Sequence, residues 1–247
     1  MKCGIVGLPN VGKSTLFNCL SSAKAVAANY PFATIEPNIG VVPVPDDRLQ
    51  KLAELINPQK TEPAIVEIVD IAGLVKGASK GEGLGNKFLA NIRETNAIIH
   101  VLRCFDNSNI AHVHGIINPI SDRETVEIEL QLKDLETLDK KKENIKRLAG
   151  SGDKTAIKQL EIVNSYYEHL LSGKSARTLS FPYDEFILEL NLLTKKPVLY
   201  ICNVDENSVN GNDYTEMVKK SIMNEKSEML IVSAAIEADI NELDSSD

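Results

Sequence analysis

The segment from Gly7 to Ser14 constrains the fold of this 247-residue chain more than any other, because it matches the pattern GxxxxGK followed by Ser or Thr. An apolar run precedes it and a helical pattern follows it, which is the setting in which this motif binds phosphate. Loop N–H groups point at phosphate oxygens, and the glycines let the backbone approach without a Cβ clash. We therefore predict that Lys13 bridges the β- and γ-phosphates and that the Ser14 hydroxyl coordinates Mg²⁺. The loop residues assigned to nucleotide binding are Asn10, Val11, Gly12, Lys13, Ser14 and Thr15.

Apolar runs alternate with amphipathic stretches along most of the chain, and this alternation predicts a mostly parallel α/β sheet with helices on both faces. Together with the motif at residues 7–14, this alternation predicts a P-loop NTPase fold with a Ras-like G domain. The predicted strands are residues 2–8, 64–70, 97–103, 197–202 and 228–233, and the predicted helices between them are residues 13–22, 46–56 and 85–96, with Asp46 as an N-cap.

Residues 125–195 interrupt this alternation, because apolar positions recur there at helical spacing and no strand-like run appears. They predict an antiparallel hairpin of two long helices that turns near Gly152 and Asp153, and a third helix that starts near Pro182 with Ser180 as its cap. The insertion would divide a nucleotide-binding domain into residues 1–124 and 196–247. Basic residues near the hairpin tip indicate either an ordinary solvated surface or a contact for RNA or a partner protein. They are Lys140, Lys141, Lys142, Lys146, Arg147, Lys154 and Lys158.

Two further segments are typical of nucleotide switches. Asp70 to Gly73 forms a DxxG motif after an apolar run, so Asp70 is predicted near Mg²⁺ and the Gly73 N–H near the γ-phosphate. Thr34, in the position of a first switch, is the predicted second hydroxyl ligand of Mg²⁺. The glycine-rich segment 74–83 is either a mobile switch or an ordinary surface loop.

The predicted base pocket lies after the strand that ends at Cys202. Guanine-specific relatives of this fold carry NKxD there, and the aspartate accepts hydrogen bonds from guanine. Here Asn203-Val204-Asp205-Glu206 replaces the lysine with valine and lengthens the carboxylate by one methylene, so guanine is disfavoured while ATP and GTP both stay open. The pocket residues predicted from this motif and from the next strand end are Asn203, Val204, Glu206, Ser233, Ala234 and Ala235.

Composition bounds the class of protein further. A formal net charge of -8 argues against a surface that binds nucleic acid throughout. The four cysteines lie far apart and form no CxxC pattern, which indicates thiols in a reducing compartment. Since no signal peptide or long apolar span is found, we expect a cytoplasmic protein without a membrane segment.

The motifs together resemble those of the YchF subfamily of Obg-related P-loop proteins. The resemblance rests on the segments 7–15, 29–38 and 70–82 and on the NxxE motif of residues 203–206, and it covers nearly the whole chain. It implies an ATPase that prefers ATP over GTP and acts as a regulatory switch in translation or stress control, with ribosomes or associated factors as partners. Members of the subfamily continue into a C-terminal TGS-like domain beyond the position of Asp247, so functions that need that domain are left open here.

Hydrolysis needs a group that orients the attacking water, and the residue after DxxG is Leu74 where many related enzymes have glutamine. The resemblance implies that His112 serves instead, with His114 as a weaker candidate. Lys13 and His112 are therefore the predicted catalytic residues. A further hypothesis gives Asn10 a role in coordinating K⁺ beside the phosphates. Two alternatives remain, a GTP-preferring GTPase and a nucleotide-binding interaction module with incidental turnover, while a P-loop kinase is the weakest.

Overall fold

A computed structural model describes residues 1–21, 38–71, 84–112, 115–182, 185–225 and 227–243. The strands are β1 (Lys2–Val6), β2 (Ile39–Pro43), β3 (Ile65–Asp70), β4 (Ala97–Arg103), β5 (Val198–Asn203) and β6 (Glu228–Val232). The helices are α1 (Lys13–Ser21), α2 (Asp47–Ile56), α3 (Leu84–Arg93), α4 (Pro119–Gly150), α5 (Lys154–Leu171), α6 (Glu185–Glu189), α7 (Asp213–Ile222) and α8 (Ala234–Glu242). Asp46 caps α2 as predicted, since its side chain accepts a hydrogen bond from the Arg48 N–H.

The described strands form one sheet in the order β2-β3-β1-β4-β5-β6, in which every neighbouring pair is parallel except β2 with β3. This confirms the predicted mostly parallel α/β fold. Strand β2 was not predicted, because Gly40 and Pro43 interrupt its short apolar run and an edge strand needs little burial.

The central strands carry the core. All seven residues of β4 are buried, and Ile5, Val101 and Cys202 from three neighbouring strands are 0% exposed. Such continuous apolar strands are expected where helices cover both faces of a parallel sheet. All four cysteines are thiols, three of them buried, and a hydrogen bond with Cys202 together with burial raises the pKa of Cys104.

The inserted hairpin consists of the 32-residue helix α4 and the 18-residue helix α5. Helix α4 begins at Pro119, six residues before the predicted start at residue 125. Asn118 caps it by accepting hydrogen bonds from the Ile120 and Ser121 N–H groups, and Pro119 is favoured in the first turn. Asp153 caps α5 through the Ala156 N–H. The third helix, α6, spans Glu185–Glu189 in the described residues, and because residues 183 and 184 lie outside them, the predicted start near Pro182 stays a prediction. None of the helices in the described ranges is long and apolar enough to cross a bilayer. The division of the chain into two domains stays a prediction.

Asp134 joins α4 to the segment that returns to the sheet. Its carboxylate is 0% exposed and accepts hydrogen bonds from the Leu193 N–H at 2.8 Å and from the Thr194 N–H and hydroxyl at 2.8 and 2.7 Å. Burial raises the pKa of Asp134 to about 6, and the hydrogen bonds from residues 193 and 194 oppose that shift only in part. Compared with the unfolded chain, the folded protein therefore keeps this carboxyl protonated up to a higher pH.

We expect the free energy of unfolding to depend on pH because of Asp134. Because the folded pKa of Asp134 lies above its ordinary value, its contribution is fully present below pH 4 and is lost as the pH rises through about 6. Asp134→Asn lacks this titrating group. The difference in free energy of unfolding between the variant and wild type should therefore shift by about 2 kcal/mol in favour of the variant as the pH rises from 4 to 7. Urea unfolding of both proteins across this range measures the difference, and parallel pH curves would contradict the prediction.

Candidate nucleotide-binding site

The loop between β1 and α1 places the predicted phosphate-binding residues at the carboxyl edge of the sheet. Asn10 and Gly12 adopt left-handed backbone conformations, with φ of 64° and 91°. A Cβ atom at Gly7 would lie 2.7 Å from the Val101 carbonyl oxygen, and one at Gly12 would overlap the Asn203 side-chain amide. Both glycines are therefore needed for the close packing of this loop against β4 and β5.

Lys13 and Asp70 are brought together across the loop. The Lys13 ammonium donates to Asp70 Oδ1, and the two side chains are 10% and 21% exposed. Asp70 ends β3, the strand that pairs with β1, so the sheet register sets this contact. The predicted Thr34 and Gly73 lie outside the described residues.

Asn203 links the phosphate-binding loop to the start of α8. Its side-chain N–H donates to the Val11 carbonyl and its side-chain oxygen accepts from the Ala234 N–H, both at 2.9 Å. Asn203 is 4% exposed. Both ends of its carboxamide are thus bonded to protein, which fixes the P-loop relative to the segment 233–235.

A cavity of about 510 Å³ opens beside the loop and is the candidate nucleotide site. It brings together the P-loop, the segment after β5 and the start of α8. The lining residues are Asn10, Gly12, Thr15, Phe105, Asn107, Ile110, Asn203, Val204, Asp205, Glu206, Asn207, Ala234 and Ala235. A larger cavity of about 610 Å³, beside Arg123 and Glu127, contains none of the predicted site residues.

Phe105, Asn107 and Ile110 were not identified from the sequence. They belong to the segment that follows β4, which lies next to β1 in the sheet. The available signal was their place after the carboxyl end of a parallel strand, where ligands bind in open α/β sheets. Their residue types are otherwise those of an ordinary loop.

His112 lies near the loop, but its imidazole is turned toward helix α4. The Ala111 carbonyl accepts a hydrogen bond from the Asn10 side chain at 3.1 Å, which places residue 112 next to the P-loop. Its imidazole Nε2 lies 2.9 Å from Asp122 Oδ2 in the first turn of α4, and the two side chains are 4% and 2% exposed. His114 lies outside the described residues.

A phosphate-binding loop between β1 and α1, with an aspartate at the end of β3 on a mostly parallel sheet, defines a P-loop protein of the GTPase fold class. Residues 2–149 match the family model described as 50S ribosome-binding GTPase.

Similarity to individual proteins is more specific. The chain is 50% identical over 249 residues to the ribosome-binding ATPase YchF of Bacillus subtilis, covering 99% of this chain and 68% of the relative. It is 53% identical over 245 residues to the protein of that name from Escherichia coli O157:H7, with 98% and 68% covered. The structure of the Schizosaccharomyces pombe YchF GTPase aligns with a TM-score of 0.83 at 37% identity, covering 100% of this chain and 68% of that one. The chain belongs to the YchF family, which confirms the resemblance read from its motifs.

Proposed function

We propose that this protein is a Mg²⁺-dependent nucleoside triphosphatase that prefers ATP over GTP and acts as a regulatory switch linked to the ribosome. The observation that carries this proposal is the cavity in which the P-loop, the segment after β5 and the start of α8 converge. Lys13 of the same P-loop is paired with Asp70. The names of the bacterial relatives, ribosome-binding ATPase, support the activity and the partner. A ribosomal partner and the buried cysteine thiols also support a cytoplasmic location.

The residues present suit Mg²⁺ in the way that P-loops use it. Mg²⁺ prefers oxygen ligands and is usually held by one or two carboxylates together with substrate phosphates. Ser14 and Asp70 would supply a hydroxyl and a carboxylate, and Thr34 is proposed as the second hydroxyl. When bound, the ion neutralises charge on the phosphates.

Lys13 changes partner in this mechanism. In the structure its ammonium is paired with Asp70. A bound triphosphate offers stronger acceptors, so Lys13 would turn to the β- and γ-phosphate oxygens and Asp70 would be released toward the Mg²⁺ position. The loop N–H groups and the N-terminus of α1 would hold the remaining phosphate oxygens.

His112 is the proposed group that orients the attacking water. Its imidazole is buried against Asp122, so it would have to leave Asp122 to reach water beside the γ-phosphate. The buried pair also favours a second candidate function, an interaction module in which bound nucleotide fixes the conformation and turnover is incidental. A slow turnover that ribosomes do not accelerate would favour that module.

Glu206 is proposed to set the preference for adenine or guanine. The names of the relatives differ on this point, since the bacterial proteins are called ATPases and the Schizosaccharomyces pombe structure is called a GTPase. Glu206 begins the short turn that Asp205 caps through the Asn207 N–H. We expect Glu206→Asp to raise the affinity for GTP relative to ATP by about tenfold, because the shorter carboxylate matches the NKxD geometry. Competition binding measures the ratio, and an unchanged ratio would mean that Glu206 does not read the base.

The helical hairpin is proposed as a contact for the ribosome or its RNA. Two of its lysines already pack on aromatic rings of the inserted region, Lys141 over Phe186 and Lys142 over Tyr167, each at 5.1 Å from the ring centroid. The other basic residues near the tip are the better candidates for phosphate contacts.

The test of the proposed function is titration of nucleotide-free protein with fluorescent ATP and GTP analogues in Mg²⁺ buffer, with phosphate release followed with and without ribosomes. Tighter ATP binding and ribosome-stimulated release are expected. The same assay in K⁺ and Na⁺ buffers tests the proposed K⁺ site at Asn10, whose amide group donates to Ala111 in this structure. Absence of binding to either nucleotide would overturn the proposal.

A further inference from the structure

Arg103 ends strand β4 and is one of the most deeply buried side chains, at 1% exposure. A guanidinium taken out of water is costly to the fold unless its charge and its N–H groups find partners. Within the ranges that the structure describes, no carboxylate forms an ion pair with it. Its surroundings therefore have to be explained by something other than a salt bridge.

The partners of Arg103 are three backbone carbonyls of the segment that follows it. Its Nε donates to the Phe105 carbonyl at 3.2 Å, its Nη1 to the Ile110 carbonyl at 3.0 Å and its Nη2 to the Asn107 carbonyl at 3.0 Å. The guanidinium carbon also lies 4.7 Å from the centroid of the Phe105 ring. Carbonyl dipoles and the ring face thus take the place of a counter-ion, and the loop is folded around the guanidinium fork.

The same three residues, Phe105, Asn107 and Ile110, line the candidate nucleotide cavity. The other lining residues come from the P-loop, from the segment after β5 and from the start of α8. The position of this wall therefore depends on the conformation in which Arg103 holds the loop.

Other anchors of the loop act mainly at its ends. The Cys104 carbonyl accepts from the Asn212 side chain at 2.7 Å, and the Ala111 carbonyl accepts from Asn10 at 3.1 Å. Between these two points, Asp106 accepts from the Tyr214 hydroxyl at 3.0 Å on the exposed side. From the interior of the molecule, the guanidinium holds the middle of the loop.

We propose that Arg103 is a positioning residue for nucleotide binding, which holds the wall formed by Phe105, Asn107 and Ile110 in place at the cavity without contacting the nucleotide. This role rests on the proposed function, because it requires that a nucleoside triphosphate occupies the cavity. Arg103 then sets affinity and the rate of nucleotide release through the backbone of the loop.

The test is Arg103→Lys, which keeps the charge but replaces a planar fork by a compact ammonium that cannot reach three separate carbonyls in this arrangement. We expect the Kd for the preferred fluorescent nucleotide to rise about tenfold, through faster dissociation. In nucleotide-free protein, amide hydrogen exchange of residues 105–111 should increase while that of β1 and β4 stays unchanged. The matched control is Arg177→Lys, at an arginine that is 5% exposed and paired with Glu127, and it should change neither measurement.

Equal nucleotide affinity in Arg103→Lys and wild type would overturn the proposal. So would increased exchange throughout the sheet, because that pattern indicates general destabilisation. If wild type and Arg177→Lys bind no nucleotide, the proposed function fails. If wild type binds nucleotide and Arg103→Lys binds it equally well, only the role proposed for Arg103 fails.

A second variant covers the case in which Arg103→Lys does not fold. Asn107→Ala removes the 2.9 Å hydrogen bond from the Asn109 N–H to the Asn107 side chain and loosens the turn that presents the Asn107 carbonyl to the guanidinium. We expect faster exchange of the loop and an increase in Kd of about threefold. Unchanged exchange and unchanged affinity in this variant would overturn the proposal.

Discussion

His112→Ala is expected to lower kcat for nucleoside triphosphate hydrolysis by about 100-fold or more, while the affinity for nucleotide stays within about twofold of wild type. The reason is chemical. An imidazole can hold the attacking water or accept its proton, and Leu74, which occupies the position after the DxxG motif, cannot. The His112 imidazole is turned away from the P-loop toward Asp122 in this structure, so its removal should spare nucleotide binding. Single-turnover phosphate release and nucleotide titration separate the two effects.

The matched control is His169→Ala, since His169 lies on α5 and its ring bonds to the Thr178 hydroxyl. It should hydrolyse nucleotide at the wild-type rate. Full turnover in His112→Ala would remove His112 from the mechanism and direct attention to another group near the γ-phosphate.

Lys13→Ala is expected to weaken nucleotide binding by about 100-fold and to reduce hydrolysis to background. The variant loses the ammonium that would meet the β- and γ-phosphates, and it leaves the partly buried Asp70 carboxylate without its ion-pair partner, so that its negative charge opposes the incoming phosphates. Calorimetric titration with ATP and GTP measures the loss, and circular dichroism shows whether the fold is kept.

Lys2→Ala serves as the control for this change, because Lys2, at the start of β1 and away from the loop, forms a partly exposed ion pair with Glu94 at 3.5 Å. It should bind nucleotide as wild type does. Retained binding in Lys13→Ala would contradict the assignment of the P-loop as the phosphate site.

Features that follow from a local pattern with a physical requirement could be predicted from the sequence. Gly7 and Gly12 are needed because other atoms stand where a Cβ would lie, and the spacing of the motif alone indicates that need. The hairpin was predictable because the apolar spacing of α4 and α5 is helical, and Asp153 marks the cap between them. Such features depend on residues close together in the chain.

Contacts made by distant segments were not predictable in the same way. The wall at Phe105 and Ile110 exists because β4 pairs with β1 and because a buried arginine folds the loop back on itself. The pairing of His112 with Asp122 depends on where Asn118 starts α4. Neither the loop composition nor the spacing of these residues contains that information.

Helix α4 is a single long helix that connects the His112 region to the tip of the inserted hairpin. At 32 residues it is about 48 Å long, its first turn carries Asp122 against His112, and its last turn carries Arg147. Near its start, Arg123 is bonded to Tyr200 on β5 and to Ser221 on α7, so this end of the helix is held against the sheet and α7. Asp134, about halfway along the helix, is also bonded to residues 193 and 194, so the part of the helix beyond these contacts is about 24 Å long. The carboxylate that holds His112 therefore sits on the same helix as the basic hairpin tip, and any displacement of the first turn of α4 would move Asp122 relative to the histidine.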